Sequence, residues 1–489
     1  MPEPSESRST DRPEPADRLV TTRHTLATPD GELAYTARTG RIVLREEELR
    51  AEVFRGWSAR AQLAVTAYTL DGADPRSRPL LFAFNGGPGS ASIWLHLGLA
   101  GPRCVEVGAP GATLPPPYAL VDNPDTLLRA ADLVFIDPMA TGQSRAVEGG
   151  KPGDYLGFGK DVEQVAELIR LWCTREDRWM SPKFLLGESY GTVRAVAVAE
   201  RLASEHRLAL NGLILVSTVL DFASQDFDYS RWDEACVHFL PTYAAIAHYH
   251  GVGAPGTLPQ VLRAAESFAD GPYAAALRAG RRLAPDRRAE VVAELARLTG
   301  LSPDYVDRAD LRIEHERYCA ELLRDRGLVV GRIDGRFTGP ARSRLAELPD
   351  ADPSMDALEG PYAAAIHHYL RGELGSDLDL PYAVFAAAAE HWSYAEFEGR
   401  PIAVTDRLER LLRANPHLRV RIEYGRYDLA TPYHAGQDMV AHLRVDDAAY
   451  ARIEHAWFDT GHMPYLDAAG RAQESAGIRD FIRRACPGG

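Results

Sequence analysis

Lysine is almost missing from this chain of 489 residues: only Lys151, Lys160 and Lys183 occur, and every other basic residue is arginine. Together with abundant alanine, the bias reads as the coding preference of a GC-rich, bacterial-type genome, not as a demand for guanidinium chemistry. Cysteine is also scarce. Cys104, Cys173, Cys236, Cys319 and Cys486 are odd in number, widely spaced and without a C-x-x-C pair, which argues against a disulfide framework and a thiolate metal site. Reduced thiols in a cytoplasm are expected. Positive charge is outweighed, with a net charge of −14. Such a chain repels phosphate backbones and anionic lipid, so neither a nucleic acid nor a membrane is an expected partner. No apolar run of about 18 residues occurs, which excludes an obvious spanning helix. Residues 1–18 are rich in Pro, Glu, Ser, Asp and Arg. They lack the apolar stretch of a secretory signal and read as a disordered leader.

What is present is ordinary globular composition, 45% hydrophobic and 25% charged, in a chain long enough for an α/β core with a large insertion. Leu33–Ala37 and Leu63–Tyr68 alternate imperfectly and read as antiparallel strands. Leu80–Phe84, Leu133–Ile136, Phe184–Leu186 and Leu213–Val216 are short apolar runs of the kind found in parallel strands buried on both faces. Helical periodicity over Asp161–Trp172 and Val193–Leu202 separates the later ones, so a mostly parallel sheet with helices on both faces is expected. From Asp221 to Pro401 the texture is Ala- and Arg-rich, helical and broken by Gly and Pro, and reads as an inserted cap without core-type strands. Strand signals return at Val420–Tyr424 and Ile453–Phe458. The expected layout is a leader over 1–18, core over 19–220 and 402–489, and a helical cap over 221–401.

Gly187-Glu188-Ser189-Tyr190-Gly191 matches Gly-x-Ser-x-Gly between an apolar strand and a helical segment. That context makes a nucleophile elbow: a sharp turn projects the serine hydroxyl at the carboxyl edge of the sheet, beside unpaired N–H groups of a helix N-terminus. A second segment supports it. Asn85-Gly86-Gly87-Pro88-Gly89-Ser90 follows the Leu80–Phe84 strand. Acyl transfer needs two N–H donors for the oxyanion. Tyr190 supplies one candidate and Gly87 the other, since Pro88 has no N–H.

These motifs resemble those of the serine carboxypeptidases of the α/β-hydrolase superfamily. The Asn85–Ser90 segment with Leu99-Ala100-Gly101-Pro102, the Ile136–Ser144 loop, Gly187–Gly191, Gly425-Arg426-Tyr427-Asp428 and Gly461-His462-Met463 follow the family's order. The resemblance implies the α/β-hydrolase fold and a catalytic triad of Ser189, Asp428 and His462. It implies oxyanion donors at Gly87 and Tyr190, and a substrate site including Asn85, Gly86, Glu188 and Met463. Histidine suits the base near neutral pH, and a carboxylate fixes its tautomer.

The family pairs the glutamate before its serine with a second one; alignment puts Leu99 at that place, so a shared proton on two carboxyls is not expected here. His96 or Arg103 could supply positive charge instead. Ser90 stands where many members have cysteine. His248-x-His250, His367-His368 and His391 lack the i, i+4 spacing of a helical zinc site, and no metal or cofactor is expected. The leading reading is a carboxypeptidase acting on peptides with a free C-terminus, as monomer or homodimer. An esterase or acyltransferase on the same triad is the alternative that Leu99 keeps open. A non-enzymatic binding protein on a hydrolase scaffold is the remote one. Activity is expected in the acid-to-neutral range, with less acid preference than the family shows.

Overall fold

The computed structural model describes residues 14–110, 112, 114–228, 233–387 and 389–486. Three long strands come first: β1 (Arg18–Thr28), β2 (Gly31–Arg50) and β3 (Val53–Leu70), paired antiparallel. The alternating stretches read from the sequence lie inside β2 and β3. The sequence reading did not include β1. Its first residue falls in the expected leader, of which residues 1–13 lie outside the described residues. The strand pairs only with β2, so half of it stays wet and it carries no apolar run to announce it.

Six short strands complete the main path: β4 (Leu80–Phe84), β5 (Asp132–Asp137), β6 (Lys183–Glu188), β7 (Gly212–Val216), β8 (Arg419–Gly425) and β9 (Ile453–Phe458). Their order across the sheet is β1-β2-β3-β5-β4-β6-β7-β8-β9. From β5 to β9 every neighbouring pair is parallel. This is the α/β-hydrolase arrangement.

Period-two alternation explains why the central strands are apolar throughout. Phe82, Leu185, Leu213 and Leu215 join one buried cluster, with Val165 and Ile169 of α1 (Phe158–Arg175) and Val193 and Val196 of α2 (Tyr190–Glu205). Their neighbours Leu81, Phe184, Leu186 and Ile214 join the other cluster, on the opposite face.

Between β7 and β8 the chain is mainly helical, with α3 (Glu234–Tyr249), α4 (Leu258–Phe268), α5 (Pro285–Thr299) and α6 (Pro353–His368). One antiparallel hairpin there, Leu328–Val330 with Thr338–Pro340, was not expected from the residue pattern. Its strands have three residues each, too few for a periodic signal. The terminal helix, α7 (Ala468–Ala485), brings Ile478, Phe481 and Ile482 to the second cluster. Among the described residues no helix is long and apolar enough to cross a membrane.

Candidate active site

Brackets of sequence that are far apart meet at the carboxyl ends of the parallel strands. Asn85 follows β4, Ser189 follows β6, Asp428 follows β8 and His462 follows β9. The order of β4 and β5 is reversed relative to the chain at this point, and such switch points open a crevice beyond the strand ends.

Ser189 has φ 60° and ψ −129°, a backbone conformation that is costly for any residue with a Cβ. Its neighbours hold it there. Ser189 N–H donates to the Val216 carbonyl at 2.9 Å, and the Ser189 carbonyl accepts from Thr192 N–H at 2.8 Å and Thr192 Oγ1 at 2.7 Å. A Cβ on Gly187 would lie 2.1 Å from the Gly191 oxygen, and one on Gly191 2.9 Å from the Phe84 oxygen. The two glycines are therefore demanded by backbone contact across the turn, which is the physical content of the motif.

The glycine loop after β4 packs on that turn. A Cβ on Gly86 would lie 2.5 Å from Tyr190 N. Gly87, at φ +100°, turns the chain in the left-handed region. Tyr190 is the first residue of α2, so its N–H has no partner within the helix. The Gly87 and Tyr190 amides thus belong to one shared floor.

His462 and Asp428 are both buried. His462 Nδ1 lies 2.7 Å from Asp428 Oδ2, and Thr431 Oγ1 donates to the same oxygen at 2.6 Å. Asp428 Oδ1 accepts from the Ala430 and Thr431 amides at 2.7 and 2.9 Å. This carboxylate is held by three groups besides the imidazole. Burial disfavours a charged imidazole, but the Asp428 carboxylate outweighs it and holds the His462 pKa above the usual histidine range. Glu188 adds to that rise and Arg332 opposes it. Ser189, His462, Gly86, Gly87 and Met463 all line one cavity of about 600 Å³.

Glu188 is buried beside the serine. Its Oε1 accepts from Asn85 Nδ2 at 2.8 Å, and its Oε2 from the Tyr465 hydroxyl at 2.5 Å. Burial pushes its pKa up to about 7, against the pull of His462, Tyr465 and Asn85. Leu99, at the place of the family's second glutamate, is fully buried in the apolar cluster of Leu95–Ala100. The neighbour that Glu188 does have is Tyr465, which the sequence reading missed. It sits three residues after His462, and only its position in the histidine loop could have pointed to it.

Two suggested cations are elsewhere. His96 stacks on Phe135 with ring centroids 4.3 Å apart and bonds to the Tyr68 hydroxyl. Burial drives its pKa down to about 3, so it is neutral. Arg103 pairs with Asp122 and Glu373. Neither lines the cavity: His96 is buried within the helical turn Leu95–Ala100, and Arg103 opens the short strand after it.

A second missed part of the site is the hairpin turn 331–337. The Ile333 carbonyl accepts from His462 N–H at 2.7 Å, and the Arg332 carbonyl from Leu429 N–H at 3.0 Å. Asp334, fully buried and paired to Arg336, accepts from Gly461 N–H at 3.2 Å. One loop of the chain between β7 and β8 therefore clamps both the Asp428 loop and the His462 loop. A serine hydroxyl, an imidazole held by a carboxylate, and the backbone of the glycine loop thus border one cavity, and these are the group types acyl transfer draws on.

No family model matches the chain. A stretch of 160 residues is 27% identical to serine carboxypeptidase-like 16 of Arabidopsis thaliana, covering 31% of this chain and 35% of that protein, so the match spans about a third of the curated relative. Among solved structures, the prohormone-processing carboxypeptidase Kex1(Δ)p of Saccharomyces cerevisiae superposes with a TM-score of 0.48 at 15% identity, covering 92% of this chain and 91% of that one. A proline iminopeptidase of Mycobacterium smegmatis gives 0.36 at 14%, covering 95% and 98%. A thermostable carboxyl esterase of Bacillus coagulans gives 0.37 at 11%, covering 96% and 99%. Likenesses of that degree carry nothing about substrate. By its strand order and its Gly187–Gly191 elbow the chain has the α/β-hydrolase fold, and over the matched segment it resembles a serine carboxypeptidase-like protein.

Proposed function

We propose that the chain is a serine-type carboxypeptidase that cleaves C-terminal peptide bonds through an acyl-enzyme. Ser189 Oγ attacks the scissile carbonyl carbon while His462 Nε2 takes its proton. Asp428 holds the other imidazole nitrogen as Nδ1–H and stabilises the imidazolium that forms. The amides of Gly87 and Tyr190 receive the oxyanion. His462 then gives the proton to the departing amine as the C–N bond breaks. Water attacks the acyl-serine by the reverse exchange, releasing the shortened peptide. Asn85, Gly86, Glu188 and Met463 receive the leaving residue with its carboxylate.

The observation that carries this reading is Glu188. A buried carboxyl group directly before the serine, protonated up to about pH 7, can meet an anionic terminus without repelling it. A panel of N-blocked dipeptides with free, amidated and esterified ends tests it. The free acid should exceed the amide in kcat/KM by about 10- to 100-fold. Equal rates on acid and amide would instead favour the esterase or acyltransferase reading, which the replacement of a carboxyl by Leu99 supports.

The pH dependence has a definite sign. His462 must be neutral to act as base, and its raised pKa sets the rising limb. Glu188 must keep its proton to accept the carboxylate, and it loses it as pH passes about 7. For free acids, kcat/KM should therefore fall above neutrality, whereas for esters it should stay on its plateau. A maximum below pH 5 for the free acids contradicts the assignment.

The same reading takes residues 221–401 as a cap on a core of 19–220 and 402–489. Five cysteines without a disulfide partner support a reducing compartment such as the cytoplasm.

A further inference from the structure

We infer that Arg332 is the cationic receptor for the substrate's terminal carboxylate, reaching it from the inserted segment. The inference rests on the carboxypeptidase reading and deepens it. The cavity that holds Ser189 and His462 is poor in positive charge. Glu316, Asp350, Asp352 and Glu359 line it, and among its described lining residues Arg332 is the one arginine or lysine. An anionic terminus entering such a cavity is repelled unless a cation receives it.

Arg332 is suited to that task on three counts. It is exposed to the cavity space, and among the described residues its guanidinium forms no ion pair. Of the lining carboxylates, Asp352 already accepts hydrogen bonds at both oxygens: Oδ1 from Ser354 N–H at 2.9 Å and Oδ2 from Ile333 N–H at 3.2 Å. The Arg332 backbone is fixed, with its carbonyl bonded to Leu429 and the next carbonyl to His462, so the side chain starts from a rigid base beside the reacting groups. Its charge is felt there, since it opposes protonation of His462. A guanidinium can grip a carboxylate through two parallel N–H donors, which an amide or ester cannot accept equally well.

Glu188 and Arg332 then divide the work. The neutral carboxyl lies on the floor with Asn85, and the guanidinium supplies the charge from the wall. The test compares wild type, Arg332→Gln and Arg332→Lys on three N-blocked dipeptides: one ending in Ala as free acid, one in Ala amide, and one in Glu amide, whose only carboxylate is on the side chain. Arg332→Gln should lower the acid-to-amide ratio of kcat/KM for the Ala substrates by about tenfold or more, chiefly through KM. Arg332→Lys, which keeps the charge, should keep part of the ratio, and it stands in if the Gln variant does not fold. A ratio within about twofold of wild type in both variants overturns the inference. So does an effect confined to the Glu amide. If wild type itself does not prefer the free acid, the carboxypeptidase reading falls, and this inference with it.

Discussion

Replacing Ser189 by alanine should lower kcat for any substrate by about 10⁶-fold, and Asp428→Asn by about 10⁴-fold. The two numbers differ because the losses differ. Without the serine there is no oxygen to carry the acyl group. What remains is binding and the Gly87 and Tyr190 amides. Without the negative charge at residue 428, the imidazole can still sit in place but loses the partner that fixes Nδ1–H and stabilises its charged form. Asp428 is tied by Ala430, Thr431 and His462, so the asparagine variant should keep its fold while His462 turns to the wrong tautomer. The pH–rate profile separates this from simple unfolding: the His462 limb should move down once the carboxylate that raises it is gone. A Ser189→Ala enzyme within about tenfold of wild type contradicts the assignment.

The largest stability effect should come from Arg194→Met, which we expect to cost about 3–5 kcal/mol in urea unfolding. Arg194 and Asp161 are both fully buried, with Nε 2.7 Å from Oδ2. The guanidinium also bonds to the Asn85 carbonyl and lies over the rings of Phe84 and Tyr190. Removing it leaves a fully buried carboxylate on α1 without a charge partner. Burial already pushes the Asp161 pKa up, so part of the loss will appear as proton uptake. Pairing the change with Asp161→Leu should recover most of the stability, because a buried ion pair replaced as a whole costs little. Activity should not return with it, since the Asn85–Gly86–Gly87 loop would still lack its anchor. A single-variant loss below about 1 kcal/mol contradicts this view of the pair.

The parts of the site written in one stretch of sequence were the readable ones. Gly187–Gly191 dictates its own turn, because the glycines answer contacts within the turn and with the adjoining strand end. The central strands were readable for a similar reason: each buries both faces, so Leu80–Phe84 or Leu213–Val216 has no polar residue to confuse the pattern. Distant pieces were visible only through their order and resemblance, as with Asp428 and His462. What could not be read depends on how the inserted segment folds back. Arg332 sits in a short turn whose register is set by hydrogen bonds to Leu429 and His462, and no local pattern marks it. Tyr465 reaches Glu188 because the histidine loop curls toward the floor, a fact absent from any spacing rule. The same limit misdirected the reading of His96 and Arg103, which are near Asn85 along the chain but find their partners elsewhere, His96 on Tyr68 and Phe135 and Arg103 on Asp122 and Glu373.

The most direct test of the central claim is labelling with a fluorophosphonate, followed by mapping of the modified peptide. A single phosphonylated site at Ser189 is expected in wild type, with labelling lost in Ser189→Ala and slowed by orders of magnitude in His462→Ala. Label on another residue, or reaction at Ser189 that is indifferent to the loss of His462, would contradict the account.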